Sequence, residues 1–237
     1  MKAIILAAGL GNRLLPLTED KPKCLIEFSG KTLLDRLLKT FKSGGINDIV
    51  LVIGHKSEKI KNVDLNLVKN EKYSKTGIMH SLFCAKEKLE KTVIVSYGDI
   101  IFENSVLEKL LESKYDITAV VDKKWEKYWK LRTDKPLSDA ESLLIDKENF
   151  ITNIGEKNLK NFDKICGQFI GLIMFQNKGL DDLKEFFNKI YSEATKEYNP
   201  LNTNIPFKQS TLTNFLQGMV MNGYKIKAIP IENGWLE

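Results

Sequence analysis

Leu6-Ala7-Ala8-Gly9-Leu10-Gly11-Asn12-Arg13-Leu14-Leu15-Pro16-Leu17-Thr18, continuing through Lys21-Pro22-Lys23, is the most informative stretch of the chain. It follows Lys2–Ala7, a run with the continuous apolar pattern of a strand buried on both faces, as in a parallel sheet. Gly9 and Gly11 directly after such a strand let the backbone approach an anion, and N–H groups exposed there cradle phosphate. Two better-known phosphate loops are excluded. The spacing G-x-x-x-x-G-K-[ST] occurs nowhere in the chain. A dinucleotide fingerprint fails because its third glycine position is Leu14 and Pro16 follows two residues later. What remains is a long loop stiffened by Pro16 and Pro22. It carries Arg13, a planar fork, and Lys23, a point charge, a pair suited to a triphosphate chain.

Outward from this loop the pattern repeats. Leu33, Leu34, Leu37, Leu38 and Phe41 predict a helix over 32–43 that Gly44-Gly45 ends. Strands are expected at 48–53, 65–68 and 92–97, with a helix over 77–89 between the last two. Alternating strands and helices imply α/β architecture, a Rossmann-like, mostly parallel sheet flanked by helices. A helix over 105–113 and a strand over 116–121 continue it. The regularity then breaks across about 123–161, where charged residues and aromatics mix, and this segment is expected to form a small lid insertion in a single domain spanning 1–237. A strand over 165–175, helices over 180–196 and 209–222 and a strand at 225–229 close the chain.

Tyr97-Gly98-Asp99 ends the fourth strand. In an open parallel sheet ligands gather at strand carboxyl ends where the order reverses, and a strand order of 3-2-1-4 would set Asp99 beside the glycine loop. An aspartate there suits Mg²⁺, which takes one or two protein carboxylates plus phosphate oxygens. A plain Gly-Asp turn is the other reading.

With 237 residues, 43% hydrophobic and 28% charged, the composition is that of a compact globular protein, which disfavours disorder, a fibre or a disulfide scaffold. The net charge of +5 is spread along the chain and suits small anionic molecules. Arg13, Arg36 and Arg132 are the only arginines, so a site needing a bidentate phosphate donor has few candidates. The basic residues form no motif with base-stacking aromatics, so a nucleic-acid partner is not expected. Cys24, Cys84 and Cys166 are odd in number and far apart, as in a reducing cytoplasm. Ala3–Ala8 is too short for a signal-peptide core, and no run approaches the roughly 18 apolar residues of a membrane span.

The run Met1–Lys23 resembles the signature of the nucleotidyltransferases that make NDP-sugars and CDP-activated compounds, commonly G-x-G-[ST]-R-x-x-P-L-T-x-x-x-P-K, with Asn12 in the Ser/Thr place. The resemblance implies a nucleotide-diphospho-sugar transferase-like fold. By it, Leu6, Ala7, Ala8 and Gly9 hold the nucleotide through backbone contacts, and Gly11, Asn12 and Arg13 wrap the phosphates. Arg13 would stabilise the leaving pyrophosphate, Lys23 would contact the phosphate that reacts, and Asp99 would be the Mg²⁺ ligand. Asn70-Glu71-Lys72-Tyr73-Ser74-Lys75-Thr76-Gly77-Ile78-Met79-His80-Ser81-Leu82 is similar to a segment of phosphocholine and phosphonate cytidylyltransferases, which implies CTP as donor with Thr76, Gly77 and Ser81 near base and ribose. Gly155-Glu156-Lys157 resembles an E-K-P segment whose lysine contacts the acceptor phosphate, and Gly167-Gln168-Phe169 resembles the wall behind it. Trp125, Tyr128 and Trp129 share one helical face ringed by Lys127, Lys130 and Arg132. That face forms either a packed lid or an aromatic cage for a cationic acceptor, with Trp129 and Arg132 on the acceptor side.

Relatives of this kind carry a second metal aspartate in a segment like W-x-E-I-D, so the chain is expected to continue past Gly234-Trp235-Leu236-Glu237. The expected activity is transfer of CMP from CTP to a phosphate or phosphonate of a small zwitterionic metabolite. Phosphoglutamine ranks ahead of 2-aminoethylphosphonate and phosphocholine. A hexose-1-phosphate nucleotidylyltransferase and a non-catalytic nucleotide sensor are the alternatives. The sequence leaves the oligomeric state open.

Overall fold

The structure, a computed structural model, describes residues 1–61 and 65–237. β1 (Lys2–Ala7) runs into the glycine loop, which tightens into single helical turns at Asn12–Leu14 and Lys23–Leu25. A ribbon of β2 (Glu27–Phe28) and β3 (Lys31–Thr32) delivers the chain to α1 (Leu33–Ser43), where Thr32 and Asp35 cap each other reciprocally. Then follow β4 (Asp48–Ile53), β5 (Asn66–Lys69), α2 (Ile78–Cys84), β6 (Val93–Tyr97), β7 (Ile101–Phe102), α3 (Asn104–Leu111) and β8 (Ile117–Asp122). The second half has α4 (Trp125–Arg132), the hairpin β9 (Leu143–Ile145) and β10 (Ile151–Ile154), β11 (Gln168–Phe175), α5 (Lys178–Glu193), α6 (Leu212–Met221), β12 (Lys227–Ile231) and β13 (Trp235–Leu236).

Seven strands form one sheet in the order β12-β8-β11-β6-β1-β4-β5. The first four long strands thus take the 3-2-1-4 order that sets Asp99 beside the glycine loop, with β1 parallel to both β4 and β6. β11 is the exception, antiparallel to β6 and β8. Alternation along the strands divides the core in two. Ile4 and Leu6 of β1 pack with α2, α5 and α6 on one face, while Ala3 and Ile5 pack with α1, α3 and α4 on the other. Both faces are covered, which explains the unbroken apolar runs.

Several boundaries differ from the sequence reading for identifiable reasons. The helix expected over 209–222 starts at Leu212, because Thr211 and Asn214 form a capping box there. The last sheet strand sits two residues later than expected. It tolerates Pro230 because β12 lies at the sheet edge. The helix expected over 77–89 ends at Cys84 and gives way to a short turn at Lys86–Lys88. The 123–161 segment contains α4 and the β9–β10 hairpin, and no helix among the described residues is long and apolar enough to cross a membrane.

Candidate active site

Between β1 and β6 the connections leave in opposite directions, the switch point at which open α/β sheets bind ligands. A cavity of about 410 Å³ opens there. The glycine loop forms one lip. Gly11 has φ 71°, and a Cβ on it would lie 2.9 Å from Thr18 Cγ2, so only glycine fits beside the buried threonine. Thr18 Oγ1 in turn donates to the Gly11 carbonyl at 2.9 Å and closes the loop, which gives the threonine of the signature a physical task.

Leu6, Ala7, Ala8, Gly9, Gly11, Asn12, Arg13 and Lys23 all line this cavity, as does Asp99 from the far side of the switch point. Lys23 Nζ donates to Asp99 Oδ2 at 2.7 Å in a largely buried pair and stands 3.8 Å from Glu237 Oε1. Arg13 extends over the rim, with its side chain 73% exposed. It meets Asp139 at 2.9 Å and Glu237 at 3.8 Å. Cys24, beside Lys23, is buried, and its thiol is pushed up to about 12 by desolvation. It stays protonated and offers no nucleophile.

The wall expected to face the base is lined by Tyr73, Thr76, Gly77, Ile78 and Ser81. Its organiser is the buried Asn70, whose amide donates to Thr76 Oγ1 and Ser81 Oγ at 3.0 Å each while its oxygen accepts from Lys72 N–H at 2.9 Å. The two hydroxyls predicted near the nucleotide thus also hold the loop in shape. Gly77 N–H donates to the Lys208 carbonyl at 2.7 Å, and a Cβ there would fall 2.4 Å from the Gln209 and Ser210 carbonyl oxygens. That contact staples the loop to the start of α6 and brings Thr211 and Thr213 into the cavity wall. His80 does not line the cavity. Burial, then Lys208 and Lys72, lower its pKa and keep it neutral.

The opposite half is built from the insertion and the chain's last residues. Trp129, Asp139, Glu141 and Lys157 line it, backed by Gln168 and Phe169, with Tyr97 and Glu237 between the halves. Burial of the Tyr97 ring, then the carboxylates of Glu141, Asp99 and Glu237, raise its phenol well above the ordinary range, so it remains a neutral donor. Glu237 is fixed by α4. Tyr128 Oη donates to its carbonyl at 3.0 Å and accepts from its N–H at 2.9 Å, and Arg132 reaches its carboxylate at 3.5 Å. Trp235 Nε1 donates to the buried Asp122 at 3.0 Å and seats β13 against β7.

This packing decides between the two readings of α4 in favour of the packed face. The rings of Trp125, Tyr128 and Trp129 are not an open cage. Trp125 and Trp129 are buried edge to face at 5.9 Å, and the Arg132 guanidinium covers Trp129 at 4.9 Å and Tyr128 at 5.4 Å. Arg132 itself does not line the cavity; it stands behind the wall, bonded to Glu237 and Asp139. Its place in sequence gives no sign of this, because Glu237 is remote in sequence from α4 and Asp139, although it follows α4 closely, belongs to no motif with Arg132. Asp139, Glu141 and Glu237 belong to no local motif and are recognisable only once the insertion and β13 are folded onto the cleft.

The chemistry of the donor set fits a divalent ion carried with a polyphosphate. Asp99 and Glu237 present two carboxylates to one ammonium, and Mg²⁺ commonly uses one or two such groups with phosphate oxygens completing its shell. No group of three or more His, Cys, Asp or Glu side chains is gathered for a metal among the described residues, so these residues alone build no closed cage.

Residues 3–153 match a family model described as the MobA-like NTP transferase domain. A CTP:phosphoglutamine cytidylyltransferase of Campylobacter jejuni is 36% identical across the whole chain and 95% of its own length. A choline-phosphate cytidylyltransferase of Streptococcus pneumoniae is 37% identical over 48% of this chain and 52% of its own. Among solved structures, CTP:phosphocholine cytidylyltransferase (LicC) from Streptococcus pneumoniae shares the fold at TM-score 0.76 and 23% identity, covering all of this chain and 92% of that one. The inositol-1-phosphate CTP transferase from T. maritima gives 0.73 at 25% identity, covering all of this chain and 88% of that one.

Proposed function

The chain belongs to the MobA-like NTP transferase family of nucleotidyltransferases, and from that premise we propose that it transfers CMP from CTP to a phosphate or phosphonate oxygen of a small zwitterionic metabolite. Pyrophosphate leaves. Phosphoglutamine is the favoured acceptor, followed by 2-aminoethylphosphonate and phosphocholine, for modification of a surface polysaccharide or lipid. The observation that carries this reading is the opening of Arg13, Lys23 and Asp99 onto one cavity between the glycine loop and β6. The full-length relative that acts on phosphoglutamine supports the acceptor.

In this reading the acceptor oxygen attacks the α-phosphorus in line, and the bond to the oxygen bridging α- and β-phosphorus breaks. Lys23 leaves Asp99 for the phosphate that reacts, and Arg13 leaves Asp139 for the departing pyrophosphate. A bound Mg²⁺ would supply further neutralisation of phosphate charge, with Asp99 to hold it and Glu237 beside it. The acceptor oxygen is already ionised, so no general base is required, consistent with a neutral His80 outside the cavity. Positioning and fixed charge supply the acceleration.

Pyrophosphate release with Mg²⁺, each of the common NTPs and a panel of phosphorylated acceptors tests the proposal. Release is expected with CTP and phosphoglutamine together and with neither alone. Faster turnover of UTP or dTTP with a hexose 1-phosphate would replace it with a sugar nucleotidylyltransferase, and silence with every pair would leave a nucleotide sensor.

A further inference from the structure

The acceptor half of the cleft contains a carboxylate that phosphoryl chemistry does not require. Glu141 lines the cavity just before the β9–β10 hairpin. Gln168 clamps its backbone from both directions: the side-chain amide donates to the Glu141 carbonyl at 2.6 Å and accepts from its N–H at 3.3 Å. The next residue, Ser142, exchanges backbone hydrogen bonds with Gly155 and Glu156, which sets Glu141 opposite Lys157 across the hairpin's open end. Lys157 Nζ lies 3.3 Å from the carboxylate, whose side chain is only 22% exposed.

The charges around the cleft differ in what they keep once phosphates arrive. Asp139 and Glu237 share Arg13 with Arg132, so Arg132 stays with them when Arg13 turns to the nucleotide. Asp99 loses Lys23 but stands where a divalent ion fits. Glu141 has no such reserve. Among the described residues its ion-pair partner is Lys157, the same cation assigned to the acceptor phosphate. An acceptor that brought phosphate alone would take Lys157 and leave a confined carboxylate unpaired, a costly arrangement away from bulk water. An acceptor that also carries an ammonium group replaces the cation it removes.

We propose that Glu141 is a specificity-determining residue that accepts hydrogen bonds from a primary ammonium of the acceptor while Lys157 turns to the acceptor's phosphate. The inference rests on the cytidylyl-transfer reading and narrows it to acceptors bearing both groups. Hexose phosphates, which carry no cationic group, are disfavoured, and a quaternary ammonium, having no N–H to donate, gains only the Coulombic part.

The test compares kcat/KM for phosphoglutamine and for its des-amino counterpart, with CTP and Mg²⁺, in the wild-type protein, Glu141→Gln and Lys157→Ala. The wild type is expected to favour the amino acceptor by about 10- to 100-fold, the scale of a hydrogen bond to a charged group. Glu141→Gln should bring that ratio close to unity, and Lys157→Ala should lower both acceptors while leaving the ratio in place. The ratio is taken within one preparation, so partial loss of folded protein cancels. A Glu141→Gln variant that keeps the wild-type ratio, or loses both acceptors equally as Lys157→Ala does, overturns the inference and leaves Glu141 as a holder of Lys157. A wild type that turns over both acceptors alike overturns it while leaving cytidylyl transfer intact. Silence of the wild type toward both, and toward 2-aminoethylphosphonate and phosphocholine as well, overturns the transfer reading and this inference with it.

Discussion

The half of the cleft proposed for the nucleotide and the half proposed for the acceptor are built on different plans. Arg13, Lys23 and the backbone of Leu6–Gly11 come from one continuous loop, and Asp99 ends the strand beside it. Trp129, Asp139, Glu141, Lys157 and Glu237 come from a helix, a loop, a hairpin and the last residues of the chain, tied together by Tyr128, Arg132 and Gln168. A triphosphate presents the same spacing whatever the acceptor, so one stiff loop would serve it. An acceptor of particular shape needs side chains gathered from several places, each held by a neighbour outside the cleft.

If the first half supplies the transition-state charge, Lys23→Ala has the largest effect. It should lower kcat by roughly 10²–10³-fold, the usual cost of removing one preorganised donor, with a much smaller change in CTP binding by calorimetry. Equal losses in both would reduce Lys23 to a binding contact. Next in size is Gly77→Ala. The added methyl meets two carbonyl oxygens at 2.4 Å, and overpacking of that kind costs about 1–3 kcal/mol, read as a lower melting temperature together with a raised KM for CTP. An unchanged melt would mean that the staple to α6 yields easily.

Tyr128→Phe probes the second half. It removes both hydrogen bonds to the Glu237 backbone at a cost of about 0.5–1.5 kcal/mol. Turnover should fall several-fold more than CTP affinity, because Glu237 borders Lys23 rather than the base. The smallest effect concerns His80. Burial and nearby lysines depress its pKa below the ordinary 6.5, so the folded chain binds fewer protons there than the unfolded one. Its contribution to stability is present above 6.5 and is lost as pH falls through that value toward the folded pKa. Melting curves of His80→Gln should therefore depend less steeply on pH below 6.5 than those of the wild type. Parallel curves would show that His80 titrates alike in both states.

The same contrast sets what could be read without coordinates. β1, α1 and β4 are legible because buried parallel strands and capped amphipathic helices write their pattern locally, down to Thr32 ahead of α1 and Gly44 after it. The order β5-β4-β1-β6 is the 3-2-1-4 order under which Asp99 stands beside the glycine loop, and the sequence offers it as a condition rather than a deduction. The antiparallel entry of β11 was not legible, since an apolar run carries no direction. The places of Arg132 and Glu237 are not legible for a related reason. Their roles depend on which loops meet at α4, and neither i, i+4 spacing nor charge states that. Asn70 fell within a quoted motif, yet its knot of bonds to Lys72, Thr76 and Ser81 needs the folded loop to be seen.

A structure of the protein with Mg²⁺ and a non-hydrolysable CTP analogue tests the central claim most directly. The account predicts Lys23 Nζ moved from Asp99 onto the triphosphate, Arg13 released from Asp139 onto the β- and γ-phosphates, and Arg132 still holding Glu237. A nucleotide bound away from the glycine loop, or bound there with the 2.7 Å Lys23–Asp99 pair and the 2.9 Å Arg13–Asp139 pair both intact, would contradict it.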